Sequence, residues 1–443
     1  MQRRDFLKMS TVAATAASSG LTGLSPVTGQ ENRLQALTRK PVLVKIFLRG
    51  GQDQLNTFIP HADKTYYSIR PTIAVRKTDA ILLNDMWALH PALEPLKRYF
   101  DEGRFAAVIN SGSPHPTRSH FDAQDFMEYA APGNRMVRDG WLNRFLTATK
   151  NPRGEDPNQI RAIALQERLP RSMRGAYPAV AVPPNLREID EVLDLFEDFY
   201  RGGDPEKLPT TLNAVEKAAG PGRAVGIDAD PVMASGMQTI QYLRRLRQLL
   251  YGDEKPTYGS SRGDGFESGT FQEYPGGWFA SRLKALARII KADVGLQVVG
   301  TDINGWDHHI GLGSTDGTLD RMLEFLSASL AAFMDDLGPE LDRTLILVST
   351  EFGRVCAENG NDGSDHGHGG ATWLLGGRVR GGRIYGKWTG LEPSELNDKR
   401  DLKVTTDFRE IYADVLREHM GFALPDGFFP DYQPSERGLG LFG

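Results

Sequence analysis

Residues 344–370 read TLILVSTEFGRVCAENGNDGSDHGHGG, and the residue types change abruptly part-way along. The apolar run 344–348 ends in Ser349, Thr350 and Glu351, and a Gly- and Asn-rich loop then carries Asp365, His366 and His368. A short buried strand that stops at polar residues and feeds such a loop is how open α/β sheets present reactive groups. Carboxylate beside imidazole is also the donor set of a divalent transition metal. Three more clusters have this form. Residues 50–56 (GGQDQLN) follow the apolar run 42–48, residues 111–122 (SGSPHPTRSHFD) follow 105–109, and residues 301–309 (TDINGWDHH) follow a strand expected at 295–299. In a parallel sheet the C-terminal strand ends share one edge, so all four clusters can converge. Six of the nine histidines fall within them.

Spacing sets what each cluster can do. Asp307 and His309 are two apart, so an extended loop points both to one side. Asp365 and His366 are adjacent, and both reach one ion only if the backbone turns, which the flanking glycines permit. Imidazole with carboxylate suits zinc, manganese or iron(II), whereas a carboxylate-rich set admits calcium or magnesium. The alternative is that these groups bond to one another and to backbone, ordering Gly-rich loops. Taken singly, His308 and His368 are read as standing behind the ligands, and His115 and His120 as ordering their own loop. Ser119 precedes an expected helix at 119–131. It is either an N-cap or a nucleophile whose alkoxide is stabilised by a metal and the helix terminus. Arg118 either grips an anionic substrate with two N–H groups or pairs with a surface acid. The lone Cys356 is read as a packed small residue, and His61, His90 and His419 as structural.

These clusters need a scaffold, and the 443 residues supply enough apolar length for one. Alternation of strands with helices at 91–103, 279–290, 319–337 and 407–419, plus short strands at 162–165 and 372–375, predicts a sheet covered on its faces by helices. Residues 183–277 interrupt the pattern as a helical insertion, with segments at 189–200 and 232–251 and a Gly/Ser-rich loop. A net charge of -5 without basic runs gives no case for nucleic acid or an anionic membrane. At the N-terminus, Arg3-Arg4-Asp5-Phe6-Leu7-Lys8 precedes a weakly apolar Ala/Ser/Thr stretch, the pattern of a twin-arginine export signal over residues 1–30. A linker over 31–40 and one domain over 41–443 follow. The mature chain is expected in the periplasm, or otherwise exported by that route, without a transmembrane segment.

In order, LRGGQDQLNT, HPTRSHFDAQ, DINGWDHH, STEFGR and SDHGHG closely resemble the DUF1501 family of exported proteins of unknown function. That family is distantly similar to the alkaline phosphatase and sulfatase superfamily. The resemblance implies an α/β, alkaline-phosphatase-like sandwich: a central largely parallel or mixed sheet, helices on both faces, and a metal site at the strand ends. Carried over, Asp53 resembles the early metal-binding aspartate and Ser119 falls where the nucleophile would. Asp307 and His309 resemble the late ligands, and His366 the final histidine. Where such hydrolases commonly show an adjacent Asp-His pair, this chain has Glu351-Phe352, so one ligand is altered and one is lost. The expectation is a metal-dependent hydrolase of phosphate or sulfate esters, its ligands drawn from Asp53, Asp307, His309, Glu351, Asp365 and His366. Zinc, calcium, manganese and magnesium all stay open, and Arg118 would hold a small anionic ester. The alternative is a non-catalytic binding or assembly protein of the cell envelope, with an envelope component as partner.

Overall fold

Four of the runs read as strands become members of one sheet, with their C-terminal ends along the same edge. The computed structural model describes residues 39–152, 159–182, 231–251 and 273–443, with residues 193, 194 and 197. The export signal, nearly all of the linker, and the insertion apart from residues 193, 194, 197, 231–251 and 273–277 lie outside the described residues. The chain begins with β1 (Val42–Arg49), α1 (Gln54–Thr57), β2 (Phe58–Ile59), α2 (Lys64–Ile69), β3 (Ile81–Leu82), β4 (Ala88–Leu89) and α3 (Glu94–Asp101). It continues with β5 (Phe105–Gly112), α4 (His120–Tyr129), α5 (Trp141–Ala148), β6 (Ala162–Ala164), β7 (Val180–Ala181), α6 (Pro231–Tyr251) and α7 (Trp278–Lys291). The last elements are β8 (Val298–Asn304), α8 (Thr318–Leu337), β9 (Thr344–Thr350), β10 (Gly370–Gly376), β11 (Arg383–Tyr385), β12 (Thr406–Asp407) and α9 (Phe408–Asp414).

The main sheet has nine strands in the order β11-β5-β10-β9-β1-β8-β6-β7, with β12 also pairing to β5. β1 lies parallel to β8 and β9, β6 to β8 and β7, and β11 and β12 to β5. Only β10 among them runs antiparallel, between β5 and β9. The fold is therefore α/β with a mixed, mostly parallel sheet. A small antiparallel sheet, β2-β4-β3, stands beside it.

Alternation along the strands builds two cores. Val42, Val44, Ile46 and Leu48 of β1 share one with Ile346 and Val348 of β9, under α3, α7 and α8. Leu43 and Phe47 share the other with Leu345 and Leu347, under α5 and α9. Each such side chain contributes roughly 1.5–3 kcal/mol by leaving water. Lys45 interrupts the second row. It is buried, donates to the carbonyl of Ile46 and the hydroxyl of Ser349, and burial pulls its ammonium pKa down to about 7.

One strand departs from the sequence reading. The strand expected at 295–299 starts at Val298 and runs on to Asn304, because β1 pairs with it in register from Leu43↔Val298 to Arg49↔Asn304. Backbone pairing thus draws Thr301 and Asp302 into the strand. The helix expected at 407–419 is α9 continued by a π turn over Val415–His419.

His419 ends that turn at the opposite edge of the sheet. Its Nε2–H donates to the carbonyl of Val42 over 3.0 Å, while its Nδ1 is buried without a partner. Burial holds the imidazole down to about 4. The unfolded chain takes up this proton near pH 6.5 and the folded chain only near 4. Stability present at neutral pH is therefore lost as pH falls through that window, by about 3 kcal/mol from this group. His419→Gln, which retains an amide donor for Val42, should reduce the pH slope of the unfolding free energy by about one proton. An unchanged slope in urea titrations at pH 7 and pH 4.5 would reject the assignment.

Candidate metal centre

Four strand ends supply the site, and backbone contacts tie their loops together. After β8, Gly305 takes φ 102° and the chain turns back so that the Trp306 amide donates to the carbonyl of Arg49 over 3.1 Å. Gly50, at the end of β1, has φ 128°, and a Cβ there would stand 2.4 Å from the amide nitrogen of Asp307. No residue with a side chain fits that approach. The loop after β9 is laced internally by Val355 N–H to Asp365 O (2.9 Å) and Gly367 N–H to Gly353 O (2.8 Å). Ser364 N–H to His308 O (3.0 Å) fastens it to the β8 loop. His120 opens α4, one residue after Ser119.

Asp307 lies at the meeting point. Its Oδ1 is 3.0 Å from Nε2 of His366 and 3.0 Å from Nε2 of His309, and these two nitrogens are themselves 3.0 Å apart. Its Oδ2 is 3.3 Å from Nε2 of His120. The ligand atoms of His120, Asp307 and His366 all lie within 4.8 Å of one another. Behind every imidazole stands an acceptor: Glu351 Oε1 for His120 Nδ1 (2.9 Å), Asp365 Oδ1 for His309 Nδ1 (2.8 Å), and the Arg118 carbonyl for His366 Nδ1 (2.9 Å). Each acceptor demands a proton on Nδ1, which leaves the Nε2 lone pair of a neutral ring facing inward.

With all three rings neutral and protonated on Nδ1, three Nε2 lone pairs face one carboxylate and no ring proton lies between them. His120 Nε2 is buried and makes no hydrogen bond. Such a set fits a cation, and acceptors behind the rings are the usual outer support of histidine ligands. Burial works to raise the Asp307 carboxyl, but the hydrogen bond and charge of Arg354 override it and hold the group down to about 2. Burial, with His120 beside it, lowers the imidazole of His366. His120 moves the other way, raised chiefly by its hydrogen bond to Glu351. A proton on Nε2 of His120 would therefore occupy the lone pair that a metal ion needs.

A family model described as a protein of unknown function, DUF1501, matches residues 105–427. The chain belongs to the DUF1501 family. No curated protein matches this DUF1501 chain. Among solved structures it aligns with PsFucS1 sulfatase from Pseudoalteromonas sp. at 11% identity, over 95% of this chain and 76% of that one, with TM-score 0.35. It aligns with the C-terminal periplasmic domain of EcEptC from Escherichia coli, a zinc complex, at 10% identity over 76% and 73% of the two chains, TM-score 0.28. The lipoteichoic acid synthase LtaP from Listeria monocytogenes gives 8% identity over 84% and 76%, TM-score 0.32.

The other residues singled out in the DUF1501 sequence occupy distinct places. Asp53 is buried, caps α1 through Asn56 N–H, and takes both arms of the buried Arg70 guanidinium at 2.9 and 2.7 Å. Burial would raise its carboxyl, but Arg70 prevails and lowers it. Glu351 stands behind His120, its Oε1 also accepting from Gly50 N–H (2.8 Å) and Gln124 Nε2 (2.9 Å). Asp365 supports His309 in the same way. Arg118 donates to Asp401 and Asp398, so its guanidinium is already engaged, while its carbonyl orients His366. Ser119 is exposed and makes no side-chain capping bond. His308 is buried against the sulfur of Met322, and Cys356 is buried with its thiol pushed up to about 12 by burial.

Two members of the DUF1501 site escaped the sequence reading. The sequence reading assigns His120 to ordering its own loop, yet its ring reaches Asp307. Arg354 received no role, although its side chain is fully buried and donates to Asp307 Oδ1 over 2.6 Å. Its signal lies in the motif STEFGR: a cation three residues past a buried carboxylate, in a loop that must enter the core. Phe352, read as a missing ligand, forms an apolar wall, its ring 5.0 Å from that of His120 and 5.1 Å from that of His366.

Proposed function

We propose that this DUF1501 protein is an exported hydrolase of phosphate or sulfate esters, working with one divalent ion held by His120, Asp307, His309 and His366. The observation that carries this reading is the convergence of three Nε2 lone pairs on one carboxylate, with every Nδ1–H locked by an acceptor. Three imidazoles and one carboxylate suit zinc best. A bound ion would polarise the ester oxygen and lower the pKa of the attacking hydroxyl. The chain's own residues do the rest. Glu351, Asp365 and the Arg118 carbonyl hold the rings in register, and Phe352 keeps water from one side of them. Ser119 offers its exposed hydroxyl at the N-terminus of the ten-residue α4, where the helix dipole favours a developing alkoxide.

Asp53, tied to Arg70, is unsuited to a second ion, which supports a single-metal centre. Phe121 and Ile310 directly follow two of the histidines and are 80% and 72% exposed, so an ester with an apolar alcohol is the substrate to try first. The twin-arginine signal at Arg3 and Arg4 is part of the same proposal. Among the described residues no helix is long and apolar enough to cross a membrane.

A second reading, a metal-holding envelope protein without a hydrolytic step, is favoured by the engagement of Arg118 with Asp401 and Asp398. Metal analysis of the purified mature protein, with a panel of aryl and sugar phosphates and sulfates, separates the two. About one zinc per chain with ester turnover supports the hydrolase. The same metal content with an inert panel supports the second reading, and metal-free protein with an inert panel sinks both.

A further inference from the structure

We infer that Gln124 is a positioning residue for this centre, fixing the tautomer of His120 through Glu351. The side chain of Gln124, on the first turns of α4, lies between two groups of opposite hydrogen-bonding character. Its Oε1 accepts from the Arg49 guanidinium over 2.7 Å, and its Nε2 donates to Glu351 Oε1 over 2.9 Å. Arginine only donates and a carboxylate only accepts, so the amide has one orientation that satisfies both. Arg49 is itself held at the end of β1 by Asp302 (2.8 Å) and by the buried Glu128 (3.1 Å). The line Asp302/Glu128 to Arg49 to Gln124 to Glu351 to His120 thus carries the position of the β1 and β8 ends to an imidazole.

The consequence is specific. Glu351 Oε1 receives Gly50 N–H, Gln124 Nε2 and His120 Nδ1 together. Without the Gln124 donor the carboxylate keeps only Gly50 N–H and the Thr350 hydroxyl besides His120, and it can turn toward the Arg49 guanidinium that has lost its amide acceptor. His120 then loses the acceptor that keeps its proton on Nδ1, and its Nε2 no longer presents a lone pair to Asp307. The hydrogen bonds of Gln124 go to Arg49 and Glu351 and to none of the proposed ligands, so its hydrogen-bonding effect on His120 runs through Glu351.

This inference rests on the metal reading for its functional consequence, and the test keeps the two apart. Nitrogen-resolved NMR of the histidine side chains, on metal-free protein at a pH above the raised pKa of His120, reads each tautomer directly. His120 should be an Nδ1–H tautomer in the wild type and a mixture in Gln124→Leu and in Gln124→Glu, the latter keeping the length but losing the donor. His309 and His366 should be unchanged in both. Zinc competition against a chromophoric chelator should show affinity reduced about 10–100-fold. Gln124 is only partly buried, so both variants should remain folded. An unaltered His120 tautomer in both variants overturns the proposal, whatever the zinc result. If the wild type takes up no zinc while the tautomer still shifts, the metal reading fails and this inference stands.

Discussion

Asp307→Asn is expected to strip the protein of its divalent metal and to lower ester turnover by well over the roughly 100-fold that outer-support changes produce. Asp307 is the carboxylate on which the ring nitrogens of His120, His309 and His366 converge, at 3.0 to 3.3 Å. An amide in its place has no charge to offer the ion and turns an N–H toward one of the lone pairs. It also leaves the guanidinium of Arg354 inside the protein without its counter-charge. Elemental analysis and turnover on the same preparation check both parts. A variant with full metal content would refute the proposed ligand set. Metal uptake by the wild type should also weaken as pH falls through the raised pKa of His120, because the proton it then holds occupies the lone pair a metal needs. Zinc affinity that does not change on acidification would contradict the competition.

The largest effect on stability is expected at the other carboxylate. Arg70→Met leaves Asp53 buried with no partner for either oxygen but the α1 amide, and such a break costs about 3–5 kcal/mol. Asp53→Asn strands the guanidinium instead and should cost a similar amount. The double change should recover part of that loss, since removing both partners avoids an unpaired buried charge. Urea unfolding of the three variants measures this. Metal content should be unaffected by Asp53→Asn, in contrast to Asp307→Asn. Loss of metal in the Asp53 variant would return that residue to the ligand set that the family resemblance implies.

Much of the scaffold could be read from residue order alone, for a physical reason. β1, β5 and β9 are runs of apolar residues buried on both faces, and nothing but a covered sheet accommodates them. Strands of two or three residues such as β7, β11 and β12 carry no periodicity, and their pairing is decided by tertiary contact. The direction of β10 left no trace either, because a buried strand has the same composition whichever way it runs. At the site, Asp307, His309 and His366 stood out through spacing, and the fold brings them within hydrogen-bonding distance. His120 did not stand out, since an imidazole at the start of a helix has many roles, and its ring meets Asp307 only because β5 and β8 end at the same edge. The pairing of Asp53 with Arg70 was equally hidden. No local pattern links an aspartate at a helix cap to an arginine 17 residues later at the end of the next helix.

The reversed strand β10 has a consequence for how this site could diversify. It starts at the edge where β9 ends, so the segment 351–369 leaves and re-enters the sheet at one place, with Glu351 at its departure and His366 near its return. The tip is open: a Cβ on Gly360 would meet nothing within 4 Å. Extra residues inserted there lengthen a loop whose two feet are already fastened, and doubling a flexible loop costs only about 0.6 kcal/mol in closure entropy. Relatives could therefore grow this tip at Gly360, and with it the surface a large ligand meets, provided that the bonds of Asn359 to His309 and of Asn361 to Gly311 are kept. The segment behaves as an exchangeable cassette on a fixed mount.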